Sequence, residues 1–174
     1  MAYEIEAKLK CDRHEDLKKA LKAAGAEFLG ESMQHDIYLD DASGSIRAMD
    51  GALRIRQESP GGKAQLTLKG PHEVSSLKKR TEVNVGIASV LDAEAILSGL
   101  GYIRRITVEK KRSAWRLCGC DVALDELPLI GRFVEIEGPD ETSVNKVQEM
   151  LGLARLEHIP QSYAALIEEQ TQQQ

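Results

Sequence analysis

The segment YEIEAKLK, Tyr3–Lys10, decides the fold because its side chains alternate with a period of two. Three aliphatic residues, which can pack in a core, alternate with three charged ones, as is typical of a strand with one buried face. The charged residues Glu4, Glu6 and Lys8 therefore share the other face, about 7 Å apart at every second position. This face is either solvated or part of a site, and the rest of the chain bears on which.

The composition of the 174 residues limits the classes of function. A net charge of −5 and a pI near 5.5 argue against non-specific nucleic-acid binding, which needs a basic surface. No stretch approaches ~20 apolar residues, so we expect no membrane span, and we expect no signal peptide before the first strand. The three cysteines fit neither a disulfide framework nor a zinc finger, which favours a reducing, cytoplasmic location.

Periodicity and turn residues predict eight strands and about four helices in a single domain of residues 1–170. Strands are expected at about 2–10, 27–39, 52–58, 63–69, 78–86, 103–117, 120–126 and 132–138. Helices are expected at about 12–24, 89–100, 142–152 and 161–170. Residues 171–174, TQQQ, are expected to form a disordered tail. The pattern indicates an α+β chain with a largely antiparallel sheet.

Seven of the eight predicted strands carry a charged face when the two-residue period is applied to each. Acidic residues concentrate on the first and last strands, whereas the middle strands are rich in arginine and lysine. The amphipathic helices must bury their apolar stripes against the apolar strand faces, which gathers the charged faces on the other side. Eight strands can then close into a barrel with a charged interior. For any single strand, the solvated face of an open sheet remains the alternative.

Such an interior combines two kinds of charge in a poorly hydrated space, which is costly unless a ligand neutralises them. Carboxylates suit a hard divalent cation such as Mg²⁺ or Mn²⁺, and converging arginines and lysines suit a polyanion. A metal-bound triphosphate satisfies both sets. The basic set is Lys8, Arg54, Arg56, Lys69, Arg80, Lys110 and Arg112. The acidic set is Glu4, Glu6, Glu82, Asp125, Glu135 and Glu137.

Eight motifs follow one another across residues 3–167: EIEAK (4–8), QHDIYLDD (34–41), ALRIR (52–56), LTLKGP (66–71), KKRTEV (78–83), VEKKR (108–112), LDELPLIGRFVEIE (124–137) and SYAAL (162–166). Together they resemble the CYTH superfamily, the triphosphate tunnel metalloenzymes. Within that superfamily, GRFVEIE and LTLKGP are most similar to the class IV adenylyl cyclase branch.

The resemblance implies a closed eight-stranded antiparallel barrel that forms a tunnel open at the ends, with flanking helices and a requirement for Mg²⁺ or Mn²⁺. The implied metal ligands are Glu4, Glu6, Asp125, Glu135 and Glu137, and the implied catalytic residues are Glu6, Lys8, Glu135 and Glu137. The phosphate chain would be held by Lys8, Arg54, Arg56, Lys69, Arg80, Lys110 and Arg112. Glu82 stays open between a partner of the arginines and a metal contact. Gln161 departs from the family pattern, since relatives often carry a basic residue there.

The reaction that the resemblance favours is conversion of ATP to cyclic AMP and pyrophosphate. Hydrolysis of tripolyphosphate, thiamine triphosphate or a nucleotide is the main alternative, because the same charges serve both reactions. A module that binds polyphosphate or a nucleotide without turnover is a third, against which the complete acidic set argues. No membrane or nucleic-acid partner is expected, and relatives that are often dimers allow a homodimer. Asp121 is expected at a solvent-exposed rim, and Tyr163 is expected to anchor the last helix.

Overall fold

A closed barrel of eight antiparallel strands forms the centre of the protein in the computed structural model, which describes residues 2–73 and 77–172. The strands are β1 (Ala2–Lys10), β2 (Glu27–Asp41), β3 (Ala52–Ser59), β4 (Ala64–Glu73), β5 (Lys78–Ile87), β6 (Tyr102–Leu117), β7 (Cys120–Leu127) and β8 (Gly131–Gly138). The helices in these ranges are α1 (His14–Ala23), α2 (Ser45–Ala48), α3 (Val90–Gly99), α4 (Glu141–Met150) and α5 (Tyr163–Gln172). The predicted α+β class and closed antiparallel barrel are confirmed.

The strand order β1-β5-β4-β3-β2-β6-β7-β8 closes where β8 pairs with β1. In that pairing Glu6 lies opposite Glu137 and Lys8 lies opposite Glu135. Directly opposite residues on neighbouring strands point to the same face of a sheet. Barrel closure therefore brings the first charged motif of the chain against the last one.

The element boundaries differ from the expected ones mainly at the ends of long strands. β2 continues to Asp41 and β4 to Glu73, and α2 was not predicted because four residues carry no helical periodicity. Thr171 and Gln172, which were expected in the tail, belong to α5, whereas residues 173 and 174 lie outside the described residues.

The hydrophobic core lies outside the barrel, between the outer faces of the strands and the helices. Leu17 and Leu21 of α1 and Val144 and Val147 of α4 pack in one buried cluster with Trp115 of β6. Each fully buried aliphatic side chain contributes about 1.5–3 kcal/mol relative to its exposed state. Because the helices cover the apolar strand faces, the opposite faces are left to enclose the interior.

Helix α5 covers one end of the barrel, so the expectation of a tunnel open at both ends is wrong. Its Tyr163 and Ile167 form a buried cluster with Val108 of β6 and Phe133 of β8. Val108 and Phe133 have the same strand parity as Lys110 and Glu135, so they point to the interior side of the sheet. The helix is thus docked on inward-facing apolar residues at this end.

None of the helices in the described part of the chain has both the length and the apolar character needed to span a bilayer. The cysteines Cys11, Cys118 and Cys120 are all free thiols.

Candidate active site in the barrel interior

Charged side chains from six strands converge on a tunnel cavity of about 140 Å³ inside the barrel. The cationic residues that line it are Lys8, Arg54, Arg56, Lys69, Lys78, Arg80, Lys110 and Arg112. The carboxylates that line it are Glu4, Glu6, Glu82, Glu135 and Glu137. The structure thus brings together all the predicted phosphate-binding residues and every predicted metal ligand except Asp125.

Asp125 points to the interior side of the sheet, opposite Arg112, but it does not line the cavity and its side chain is fully buried. It accepts hydrogen bonds from Lys110 Nζ at 3.0 Å and from Arg112 Nε at 2.7 Å. Burial alone would raise the pKa of its carboxyl, but Arg112 and Lys110 outweigh burial and lower it. Asp125 is therefore placed to orient two cations, and its role as a metal ligand stays a prediction.

Asp36 does the same for the arginines of β3, although it was not among the predicted site residues. Arg56 donates to both of its carboxylate oxygens at 2.6 Å, and Arg54 lies 3.5 Å from one of them. Burial opposes ionisation of Asp36, but the hydrogen bonds from Arg56 and the charge of Arg54 lower its pKa. The pairing fixes the two guanidinium groups that face the tunnel.

Glu4 binds two cations on the part of the tunnel wall formed by β4 and β5. It accepts from Lys69 Nζ at 2.6 Å and from Arg80 Nε at 3.0 Å, and Lys69 also lies 2.7 Å from Glu82. Burial would raise the pKa of Glu4, but Lys69 and Arg80 lower it to about 2. Glu82 is therefore a partner of the basic set in this structure, and its alternative role as a metal contact is untested.

Lys8 links the first and last motifs inside the barrel. Its Nζ lies 3.6 Å from Glu6 and 3.4 Å from Glu135, and it donates to the backbone carbonyl of Gln161 at 3.0 Å. Burial would lower the pKa of Lys8, but Glu6 and Glu135 raise it. The contact with Gln161 uses a backbone atom, so it does not depend on which side chain occupies that position.

Glu137 differs from the other tunnel carboxylates because it forms no ion pair within the described ranges. Partial burial raises its pKa to about 7, and the charges of Glu4, Glu6 and Glu82 add to the increase. Glu137 thus faces several carboxylates without a cationic partner of its own among the described residues, which is an environment that a divalent cation relieves. Glu4 and Glu6, like Asp125 and Glu135, already contact lysine or arginine, so Glu137 is the tunnel carboxylate most available to a cation. Within the described residues, no three acidic, histidine or cysteine side chains are preassembled as a metal site.

The raised pKa of Glu137 predicts how stability depends on pH. The folded state holds this proton up to about pH 7, whereas the unfolded chain releases it near 4.5. Stability therefore falls as pH rises between these values, and the cost is fully present above pH 7. We expect Glu137→Gln to raise the melting temperature at pH 8 and to leave it nearly unchanged at pH 5. Glu149→Gln, an exposed position on α4, controls for loss of a surface charge, and an equal gain at both pH values would contradict the assignment.

Two buried lysines and two unpaired polar atoms make the cavity receptive to an anion. Burial is the main cause that lowers the pKa of Lys78 and of Lys110 to about 8, so added negative charge would stabilise their protonated forms. Arg54 Nε and the Tyr163 hydroxyl are buried without a hydrogen-bond partner in the described structure. Unpaired buried donors carry a desolvation cost that a ligand oxygen would remove.

Four residues of the interior were missed by the sequence analysis. Lys78 has the same strand parity as Arg80 but stands at the first position of β5, where the inward pattern was not extended. Asp36 and Tyr38 occupy alternate positions in QHDIYLDD, where the same period could have found them. Tyr163 packs on Phe133, which fits an anchor, but its ring also lies 4.4 Å from Lys8 Nζ and 4.7 Å from Lys110 Nζ. Asp121 pairs with Arg116 and is 59% exposed, as expected for a rim residue.

A second cavity, of about 900 Å³, adjoins the tunnel and is here termed the vestibule. It lies between the β2–β3 connection, which contains α2, and the start of α5. Residues that line both cavities are Tyr38, Ala52, Arg80 and Ser162. The tunnel and the vestibule are therefore directly adjacent.

Comparison with known proteins identifies the family. The model of the CYTH domain matches residues 2–163. The chain is 31% identical over 134 residues to the "Putative adenylate cyclase MJ0240" of Methanocaldococcus jannaschii, covering 77% of this chain and 75% of that protein. It is 29% identical over 177 residues to the adenylate cyclase CyaB of Aeromonas hydrophila, covering 96% of this chain and 90% of that protein.

Solved structures have the same fold. The PH1819 protein of Pyrococcus horikoshii OT3 superposes with a TM-score of 0.82 at 27% identity, over 95% of this chain and 99% of that one. HpAC1 from Hippeastrum, described as having a dominant triphosphatase activity, superposes with a TM-score of 0.73 at 20% identity, over 97% and 96% of the two chains. At this lower identity the likeness extends to the fold alone.

Proposed function

The chain belongs to the CYTH domain family, and we propose that it is a divalent-metal-dependent enzyme that processes a triphosphate inside the tunnel. The observation that carries this proposal is the convergence of eight cationic side chains from five strands on one cavity, within the described structure. Asp36 and Asp125, which do not line the cavity themselves, form ion pairs with four of these cations. The basic groups are thus oriented before any ligand arrives, which is what stabilisation of a phosphate chain requires.

The carboxylates on the Glu137 side support the metal requirement. Glu4, Glu6 and Glu137 would hold a Mg²⁺ or Mn²⁺ ion, with Glu135 as the remaining candidate. Of these four, Glu137 alone has no lysine or arginine partner in the described part of the chain. When bound, such an ion supplies charge neutralisation on phosphate oxygens and lowers the pKa of a coordinated hydroxyl. The protein's own share is to position the chain of phosphates and to exclude water from it.

The first candidate reaction is conversion of ATP to cyclic AMP and pyrophosphate. In it the ribose 3′-hydroxyl attacks the α-phosphate, the bond to the β-phosphate breaks, and pyrophosphate leaves with its charge held by the lysines and arginines. The names of the two relatives support this reaction, and a vestibule beside the tunnel offers space for the nucleoside. The cationic walls would stabilise the leaving pyrophosphate more strongly than the ground-state triphosphate.

Hydrolysis of a triphosphate is the second candidate. Its specific support is that the tunnel cavity is lined mostly by charged groups, which would hold phosphates without selecting a nucleophile. Water attacking the terminal phosphate of ATP, tripolyphosphate or thiamine triphosphate would use the same positions. Here the basic residues would hold the remaining diphosphate.

Product analysis distinguishes the two reactions. Purified protein is incubated with ATP and Mn²⁺ at mildly alkaline pH, and nucleotides and phosphates are separated by chromatography. Cyclic AMP with pyrophosphate is the expected result. ADP with orthophosphate would instead support hydrolysis. No turnover of ATP, tripolyphosphate or thiamine triphosphate would overturn the assignment as an enzyme.

Glu135→Gln distinguishes an enzyme from a binding module. Removing this carboxylate leaves Arg112 with Asp125 and Lys8 with Glu6, so the anion site keeps its positive charge. We expect metal-dependent turnover to fall by about 100-fold or more, while tripolyphosphate still raises the melting temperature. Glu126→Gln, exposed on β7 and paired with Arg132, is the matched control. Unchanged turnover in the Glu135 variant would contradict a catalytic role for this residue.

A further inference from the structure

The vestibule contains a histidine–carboxylate pair that the tunnel chemistry does not use. His72 of β4 and Asp50, two residues after the end of α2, both line this cavity. The Nδ1 atom of His72 lies 2.7 Å from Asp50 Oδ2, and the backbone N–H of His72 donates to the same oxygen at 3.0 Å. One carboxylate thus fixes both the backbone and the ring of the histidine.

The pairing determines which chemistry the other ring nitrogen offers. With Nδ1–H donating to Asp50, Nε2 of a neutral imidazole carries the lone pair and is an acceptor. Nε2 is covered by its surroundings and has no hydrogen-bond partner in residues 2–73 and 77–172. An acceptor that is withdrawn from water and left unpaired gains most from a ligand donor.

Asp50 has a backbone conformation that few side chains adopt. Its φ is +56°, in the left-handed region, where aspartate is among the better tolerated non-glycine residues. The neighbouring loop is held by Asp40, which accepts from the backbone N–H groups of Ile46 and Arg47 at 3.0 Å. The Asp50 carboxylate is therefore presented to His72 by a loop that is fixed from the other side.

His72 also stands where the basic wall of the tunnel meets the vestibule. In the β4–β5 ladder it lies opposite Arg80, which lines both cavities and binds Glu4. The vestibule surrounding it includes apolar groups from Leu39, Ile46 and Ile106. Its volume of about 900 Å³ is within the range of small-molecule sites. The vestibule is also lined by charged groups such as Arg47, Arg105 and Glu168. Apolar groups beside an oriented acceptor suit an organic group that carries a hydrogen-bond donor.

We propose that the Asp50–His72 pair recognises the organic group of the substrate, with His72 Nε2 accepting a hydrogen bond from a hydroxyl or amino group of a nucleoside. The inference rests on the proposed function and deepens it, because it makes the substrate an organic triphosphate rather than inorganic tripolyphosphate. The His72 side chain lines the vestibule and is 30% exposed, and Nε2, which is covered by its surroundings, would reach a ligand by a turn of the ring toward the cavity. His72 would then act on selectivity and not on the phosphates.

Binding affinity provides the test, and each sample is checked for ligand breakdown after the titration. Calorimetry with a non-hydrolysable ATP analogue and with tripolyphosphate, both with Mg²⁺, is applied to the wild type, His72→Ala, His72→Gln and Asp50→Ala. We expect His72→Ala to weaken binding of the analogue about 10-fold and Asp50→Ala to weaken it less, with tripolyphosphate affinity within 2-fold throughout. His72→Gln, which retains an acceptor, should recover part of the loss. His35→Ala, a partly exposed histidine beside Glu109 on β6, is the matched control.

The outcomes separate the inference from the proposed function. Equal loss for both ligands, or no loss for either, would overturn the role of the pair while leaving a triphosphate site intact. A wild type that binds neither ligand would overturn both proposals. Retained tripolyphosphate binding shows that each variant is folded. Thiamine triphosphate measured alongside identifies which organic group is recognised, and a selective loss for either one supports the inference.

Discussion

Replacing Asp125 by asparagine is expected to lower the free energy of unfolding by about 3–5 kcal/mol, because it leaves two buried cations without their counter-ion. Lys110 and Asp125 have side-chain exposures of 2% and 0%, so water cannot take over the lost contacts. Arg112 keeps only its contact with Glu135. Urea unfolding at pH 7 measures the change. Asp121→Asn, on the same strand but 59% exposed, should cost less than about 1 kcal/mol.

The two cations differ in how they can respond to the loss. Burial and the neighbouring Arg112 already lower the pKa of Lys110 to about 8, so Lys110 can release its proton when Asp125 no longer opposes this. Arg112 cannot, since a guanidinium stays charged. The variant should therefore recover part of its stability between pH 7 and pH 9, and tripolyphosphate should stabilise it strongly by replacing the missing negative charge. A loss below about 1 kcal/mol at pH 7 would mean that Asp125 does not hold these groups in solution.

The inward face of the barrel could be predicted from the sequence because it is a local property. In a strand the side of each residue follows from its position alone, so Glu4, Glu6 and Lys8 were assigned correctly from eight residues. The same rule found the two arginines of β3. It failed at Lys78 only because the strand boundary was placed at that residue.

The pairing of charges inside the barrel could not be predicted in the same way. Asp125 was assigned with the carboxylates of β8, but the register of β6 and β7 places it directly opposite Arg112. Asp36 lies opposite Arg56 through the register of β2 and β3. Such registers depend on contacts between segments far apart in the chain, and the two-residue period carries no information about them.

The vestibule could not be predicted from sequence patterns either. Its walls come from a helix of four residues, a histidine at the end of β4 and the segment before α5, which have no common periodicity. Only the closure of the barrel, with α5 docked on its end, brings these parts together. The tunnel follows from alternation repeated on many strands, whereas the vestibule depends on where individual connections end.

Arg54→Ala is expected to reduce turnover of the triphosphate by about 100- to 1,000-fold, the effect of removing one preorganised charged donor from a transition state. The guanidinium lines the tunnel with one terminal nitrogen 3.5 Å from Asp36, and its Nε is buried without a partner in the described residues, so Nε is the donor left for a ligand. The barrel itself should tolerate the change, because Asp36 keeps both 2.6 Å bonds to Arg56. Catalysis and folding are thus separable at this position.

The measurement is steady-state turnover together with the rise in melting temperature caused by tripolyphosphate. Both should fall in Arg54→Ala, while its melting temperature without ligand stays close to that of the wild type. Arg104→Ala, which removes an exposed arginine paired with Glu94 of α3, should leave both unchanged. Turnover within 3-fold of the wild type would exclude Arg54 from the phosphate site. Arg56 makes both short hydrogen bonds to Asp36, whereas Arg54 lies 3.5 Å from it. Arg56→Ala should therefore lower stability as well as turnover.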